Sequence, residues 1–293
     1  TGQIGFLVAE VATLGLGNSY FAQQLSGVEK VVTENGYLTT VSACDLSDIS
    51  KFIFPDKLKR KSVDGLVVSG PILPEVIDII RDIGTPAVIC YDPGDGNSDE
   101  FMRLSDNQFF LSYNNKHKTL QAINYLHELG HRKICLSSLW EGMLAKIPKG
   151  IRLIHEPLNQ SCTFKQGVLL GQKWLSQSPN ERFTGLLGSD QFCYGFIRSL
   201  NLAAPGLCPS QVSVICQADT KMNEYTYPSL TSFSCNPYLY GRKSAELLID
   251  LLEGKRLMGE LVRDAKNFYD KNLEIITRES TGTTTNISSK KLK

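Results

Sequence analysis

The chain has 293 residues, 42% hydrophobic and 21% charged, a balance that fits a globular protein with one large domain or two smaller units. No apolar run approaches the roughly 18 residues needed to cross a bilayer, which excludes a membrane-spanning role. Formal net charge is +1; without Lys290, Lys291 and Lys293 of the tail, 28 basic residues face 30 acidic ones, so the body has no overall electrostatic attraction for nucleic acid. The 8 cysteines are scattered through mostly apolar runs without a C-x-x-C pair, the pattern of reduced core thiols in a cytosolic protein. The start at Thr1 shows neither the basic nor the apolar region of a signal peptide.

In chain order, Ile4 to Ala9 reads as a strand, followed by Gly15, Gly17 and Asn18 and a helix with Phe21, Leu25, Val28, Val31 and Val32 on one side. Tyr37 to Ala43 is the next strand, and the helix expected after it carries Ile49, Phe52, Ile53 and Leu58, turned at Pro55. Asp64 and Gly65 introduce a strand at Leu66 to Val68, Pro74 to Ile83 is helical, and Pro86 to Cys90 is a fourth strand. Asp92 to Asp99 is a surface loop. Leu104 and Phe109 to Tyr113 are extended, and a helix over Asn115 to Leu129 follows.

That helix runs into Gly130, His131, Arg132 and Lys133, then an apolar strand, Ile134 to Leu136. Glycine at the C-cap and basic residues at the negative end of the helix dipole mark an αβ junction. A second series continues with Ile151 to Ile154, a helix over Phe164 to Leu175, Phe183 to Leu187, a helix over Gln191 to Leu200, and Val212 to Ile215. Leu230 to Phe233, a helix over Tyr240 to Leu252, and Leu273 to Ile276 close the chain. Two successive βα series, with β-branched runs buried on both faces, predict two α/β units, each built on a parallel sheet.

Candidate chemistry is sparse. Gly15 and Gly17 lack the third glycine of a dinucleotide fingerprint, because position 20 is Tyr, and no phosphate-binding G-x-x-x-x-G-K-S/T string exists. The four histidines show no metal-ligand spacing, so no metal and no cofactor is expected. Gly188-Ser189-Asp190 lacks the second glycine of a nucleophile elbow. Doubly wound sheets bind ligands at the carboxyl ends of their strands, which singles out Asn18, Asn115, Asp190 and Asp219. A helix N-cap is an equally good account of any one of them alone. Trp140 stands in a loop where an aromatic either stacks on a ligand or roofs the core.

Taken in order, several strings resemble the effector-binding core of the LacI/GalR transcription regulators, which share the periplasmic-binding-protein type I fold. Ile4-Gly-Phe-Leu-Val8, Gly17 to Phe21, Gly27 and Asn35-Gly-Tyr37 are similar to its first βαβ unit. Val63 to Val68 and Thr85 to Asp92 resemble its third and fourth strands, and Leu129 to Ile134 its lobe-crossing motif. Gly188 to Asp190, Pro209 to Ile215, Pro228 to Ser232, Gly241 and Thr277 to Thr281 follow in the family's order.

The resemblance implies an α/β fold of two doubly wound parallel-sheet lobes (periplasmic-binding-protein-like I) joined by three crossovers, near His131, Cys235 and Leu257. One lobe would hold 1-131 and 236-257, the other 132-235 and 258-281, with 282-293 a disordered tail and Gly130 to Lys133 at a hinge. It further implies a cytoplasmic homodimer, not an enzyme, with a small-molecule effector (sugar or other polar metabolite) in the interlobe cleft. Operator DNA would be bound through a segment missing from this chain. The ligand-binding set would be Asn18, Tyr20, Asn115, Trp140, Ser189, Asp190 and Asp219. Where sugar-binding members of the family carry an asparagine before the aspartate and a glutamine near the third crossover, this chain has Ser189 and Cys235, so several partners for sugar hydroxyls are absent. A periplasmic sugar or small-solute binding protein is the alternative reading of the same fold.

Overall fold

The computed structural model describes residues 1–9, 15–59, 61–91, 102–112, 115–137, 146–155, 163–268 and 273–284. Its strands in chain order are β1 (Gln3–Ala9), β2 (Leu38–Cys44), β3 (Gly65–Ser69), β4 (Ala87–Cys90), β5 (Arg103–Ser105) and β6 (Gln108–Leu111). They continue with β7 (Lys133–Leu136), β8 (Arg152–His155), β9 (Gly185–Gly188), β10 (Ser213–Cys216), β11 (Thr231–Phe233) and β12 (Ile275–Ile276). The longer helices are α1 (Ser19–Glu34), α2 (Pro74–Ile83), α3 (Asn115–Glu128), α4 (Phe164–Ser176), α5 (Asp190–Ala203), α6 (Pro237–Leu252) and α7 (Met258–Asn267).

The chain divides into two compact units, Thr1–Asn114 with Asn236–Asn272, and Asn115–Cys235 with Leu273–Lys293. The first contains a six-stranded sheet in the order β2-β1-β3-β4-β6-β5, parallel except for the β5–β6 pair. The second repeats the plan as β12-β11-β10-β9-β7-β8, parallel except for β11–β12. Central strands are buried along their full length, for example Gly65–Ser69 and Ser213–Cys216, because helices cover both faces.

Local chemistry sets the helix ends. The Asn18 side chain accepts from the Tyr20 N–H at 2.9 Å and starts α1. Pro74 opens α2, and Gly84 closes it in the left-handed conformation at φ 69°. Thr163 and Gln166 form a capping box at α4, and Asn236 with Pro237 starts α6. In the second unit Trp174 anchors the core. Its ring lies 6.2 Å from Phe196 and 6.4 Å from Phe183, and its Nε1 donates to the Phe183 carbonyl at 2.9 Å.

Two sequence expectations are corrected here. The helix carrying Ile49, Phe52, Ile53 and Leu58 does not form; only a single 3-10 turn, Asp56–Leu58, appears. Asp45 accepts from the backbone and hydroxyl of Ser47, and Asp48 does the same for Ser50, so side chains replace the helical ladder before Pro55 stops it. Conversely α7 forms where no helix was expected, burying Leu261, Val262 and Ala265 beneath an otherwise polar surface. With α7 in the first unit, the chain leaves that unit after Asn272 rather than near Leu257.

The first division falls at Asn114, ahead of α3, so Gly130 to Lys133 lie wholly inside the second unit. The Thr284 N–H donates to the Leu129 carbonyl at 2.9 Å, and the His131 Nε2 donates to the Gly282 carbonyl at 3.1 Å. Gly130, at φ 93°, carries the tail directly against it: a Cβ there would collide with the Thr284 hydroxyl. Residues 282–284, expected to begin a disordered tail, are therefore packed; residues 285–293 lie outside the described residues.

Candidate functional site

The carboxyl ends of β9, β10 and β11 in the second unit bring ionisable side chains together, among them Asp190, Asp219 and Arg278. β9 ends at Gly188, the chain turns through Ser189 in extended backbone, and Asp190 opens α5. A Cβ at Gly188 would meet the Phe192 ring closer than 3.0 Å, so the turn into α5 needs glycine. This places Asp190 on the rim of the sheet with its Oδ2 shut off from solvent and without a hydrogen-bond partner. Thr220 and the Ala218 backbone bond to the carboxyl, and Asp219 and Lys118 act on it electrostatically. Burial outweighs these bonds and pushes the Asp190 carboxyl up to about 7.

Asp219 follows β10 and is already committed. The Arg278 Nη2 lies 2.8 Å from its Oδ1, and the Ser232 hydroxyl donates to the same oxygen at 2.7 Å. Arg278 is fixed in turn by the Leu230 carbonyl and the Ser232 hydroxyl, both at 2.8 Å. With Nη2 on Asp219 and 3.8 Å from Glu224, and Nη1 on Leu230 and Ser232, the planar guanidinium is a structural clamp across the strand ends. Behind it, the Tyr194 hydroxyl lies 3.0 Å from the Thr220 hydroxyl and donates to the Asn223 side chain at 2.7 Å; Asn223 donates to the Ala218 carbonyl at 2.8 Å. The network holds the loop from Ala218 to Asn223 against α5, and so fixes where Asp190 sits.

Lys118 was absent from the candidate set. Its side chain is 3% exposed, its ammonium bonds to the thiol of Cys235 at the end of β11, and its charge reaches Asp190. A sequence signal existed: Lys118 stands four residues before Ala122 and eight before Leu126, on the buried stripe of α3. A lysine on such a stripe needs a partner inside the protein.

The other candidates have local roles of their own. Asn18 caps α1 and Tyr20 packs edge-on against Phe21 at 5.3 Å, both in the first unit. Asn115 begins α3, and its carbonyl accepts from the Thr119 hydroxyl at 2.8 Å. Trp140 lies outside the described residues. At the corresponding strand ends of the first unit, Ser69 donates to Gln24 at 2.6 Å and Gln24 donates to the Cys90 sulfur at 3.3 Å, a neutral and closed set. Among the described residues no group of histidine, cysteine and acidic side chains could hold a metal ion, and no helix is long and apolar enough to cross a membrane.

Residues 123–281 match the family model described as periplasmic binding protein-like domain. The HTH-type transcriptional repressor CytR of Escherichia coli strain K12 is 21% identical over 257 residues, covering 81% of this chain and 70% of that protein. A LacI family transcriptional regulator from Enterococcus faecium, solved with bound ribose, superposes with a TM-score of 0.66 at 20% identity, covering 96% of this chain and 98% of that one. A sugar-binding LacI family regulator from Enterococcus faecalis gives 0.71 at 18% identity, covering 97% and 98%. The family match spans more than half the chain: the chain belongs to the periplasmic binding protein-like domain family.

Proposed function

We propose that this chain is the effector-binding and dimerisation core of a cytoplasmic transcription regulator. A small polar molecule held at the strand ends shifts the population of core conformations, and with it the affinity of a homodimer for operator DNA. Such a shift requires the molecule to bind one conformation better than the other. Operator contact is assigned to a helix-turn-helix segment outside these residues, in keeping with the near-neutral charge of the body. No catalytic step is assigned.

The observation that carries the reading is Asp190: a buried carboxyl oxygen without a partner, at the carboxyl end of a strand, in a fold whose neighbours include a ribose-bound regulator. Candidate contacts are Asn18 and Tyr20 in the first unit and Asn115, Trp140, Ser189, Asp190 and Asp219 in the second. Asp219 would act mainly by holding Arg278 and the strand ends in place.

For dimerisation the second unit offers Leu202, Met222, Tyr225 and Tyr227, between 45% and 71% exposed. The Asn201 side chain reaches the Tyr227 carbonyl and brings the end of α5 beside this segment. An apolar surface of this kind suits a second copy of the chain.

A thermal-shift screen of sugars, sugar phosphates, nucleosides and amino acids tests the assignment. At least one class should raise the melting temperature of the wild type, and Asp190→Ala should abolish that rise. An undiminished rise in the variant would remove Asp190 from the site. Light scattering should give a dimer that Tyr225→Asp weakens.

A further inference from the structure

The near-neutral net charge hides an uneven distribution. Around the start of β7 and β8 in the second unit stand Arg132, Lys133, Lys146, Lys149 and Arg152, exposed except for the half-buried Lys133. The two strands are parallel neighbours with Lys133 and Arg152 in register, and the Arg152 N–H donates to the Arg132 carbonyl at 2.7 Å. Like charges are thus set side by side at the strand spacing of about 4.8 Å, where they repel. Lys146 and Lys149 lead into β8 through a turn at Gly150, which has φ 84°. β8 is the outermost strand of its sheet, so the cations lie along an edge.

The carboxylates nearby do not offset them. Glu181 acts on Lys133 electrostatically, but its carboxylate already accepts from the Ser178 N–H and hydroxyl at 3.2 and 2.7 Å. Glu128 is exposed on the last turn of α3. Among the described residues none of the five cations belongs to an ion pair. The Arg132 Nη1 donates to the carbonyls of His127 and His131, both at 2.9 Å, and the Lys133 ammonium donates to the Asn180 carbonyl, so their acceptors are neutral. Five positive charges therefore face two negative ones. The edge also lacks an apolar anchor: none of the exposed large hydrophobic side chains among the described residues falls between Asn115 and His155. A protein partner is held chiefly by buried aromatic and apolar anchors. A phosphate backbone needs only positive charge and N–H donors, and guanidinium groups match its oxygens.

We propose that this edge is a contact surface for the phosphate backbone of duplex DNA, independent of base sequence. It is separate from the operator contact assigned to a segment outside these residues, and it requires neither an effector nor Asp190. Its role is to add affinity for DNA next to whatever site that segment reads, because backbone contacts carry charge attraction without sequence information.

Fluorescence anisotropy of this chain with two unrelated labelled duplexes of roughly 30 base pairs, from about 20 to 200 mM salt, tests the proposal. Both duplexes should bind equally, with log affinity falling against log salt at a slope of about −4 to −5, close to 0.9 per cation. Lys149→Gln with Arg152→Gln should reduce the magnitude of that slope by about 2 and weaken binding at least 10-fold at the lowest salt. Lys30→Gln, at an exposed lysine paired with Glu34 at 3.2 Å, should change neither, and circular dichroism checks that the variants fold. Absence of binding at the lowest salt, or the same slope in the double variant, would overturn the proposal. So would poly-glutamate binding more tightly than DNA, which would make the partner an acidic protein. None of these results bears on the thermal-shift screen or on Asp190→Ala, so the effector-core reading is tested apart.

Discussion

In the first unit α1 and α6 meet at Gly27 and Gly241, where an added Cβ would come closer than 3.0 Å to the backbone oxygens of Tyr238 and Gln24. In the second unit α4 and α5 meet at Gly167 and Gly195, with the same close approach to Phe192 and Phe164. The scaffold is thus built twice by one device, backbone against backbone through glycine. The carboxyl ends of the two sheets differ. The first closes with Gln24, Ser69 and Cys90, which are neutral and hydrogen-bonded to one another, and the Tyr240 hydroxyl donates to the Leu111 carbonyl beside them. The second is left ionisable, with Asp190, Asp219, Arg278 and Lys118 gathered on its rim. The two scaffolds thus pack alike and differ in the groups at their strand ends.

The strongest way to break the equality is in the glycines. Gly27→Ala and Gly195→Ala each force a methyl group into a backbone oxygen, so each should destabilise by about 3 kcal/mol or more, at the upper end of overpacking effects. Chemical denaturation should show comparable losses for the two. A loss confined to one variant would mean that the two helix pairs are not equivalent.

The next test sharpens the difference between the strand ends. Asp190 has its folded value raised from 3.8 to about 7, so the native state holds a proton that the unfolded chain has released. The associated stability is complete below pH 3.8 and is lost as pH rises through 7. Asp190→Asn removes that loss. Relative to the wild type it should gain stability, by roughly 2–4 kcal/mol, between pH 4 and pH 8, as read from urea midpoints across that range. Parallel pH profiles for the two proteins would show that the carboxyl titrates normally.

At the other sheet, Gln24→Leu should cost about 1–3 kcal/mol, because it removes the bonds to Ser69 and Cys90, and the cost should be the same at pH 5 and pH 8. A pH-dependent cost would contradict the neutral character of that end. Smallest of all, Thr284→Ala should cost about 1 kcal/mol or less, since the backbone bond from Thr284 to Leu129 survives the loss of the hydroxyl that lies against Gly130.

Much of the fold was legible in the sequence. The expected helix over Pro74 to Ile83 forms with the same ends, because Pro74 at its start and Gly84 at its close are strong local signals. The segment after β2 was misread because Ile49, Phe52 and Ile53 have helical spacing, while the Asx bonds of Asp45 and Asp48 give the backbone a local alternative. At the candidate site the polar residues following strands were readable as a class. Their roles were not: Asp219 looks the same in sequence whether it awaits a ligand or is clamped by Arg278, 59 positions away.

By itself the sequence determined the alternation of strands and helices and the two sheets. These follow from periodicity, caps and glycines that act over a few residues. The tertiary structure decided which strand-end groups are paired, where α3 and α7 belong, and that the segment around Gly130 and His131 contacts residues 282–284 of the chain's own tail. It also decided that Lys118 is the one lysine or arginine among the described residues that is turned inward. Burial and charge pairing arise between residues far apart in the chain, so no local pattern encodes them.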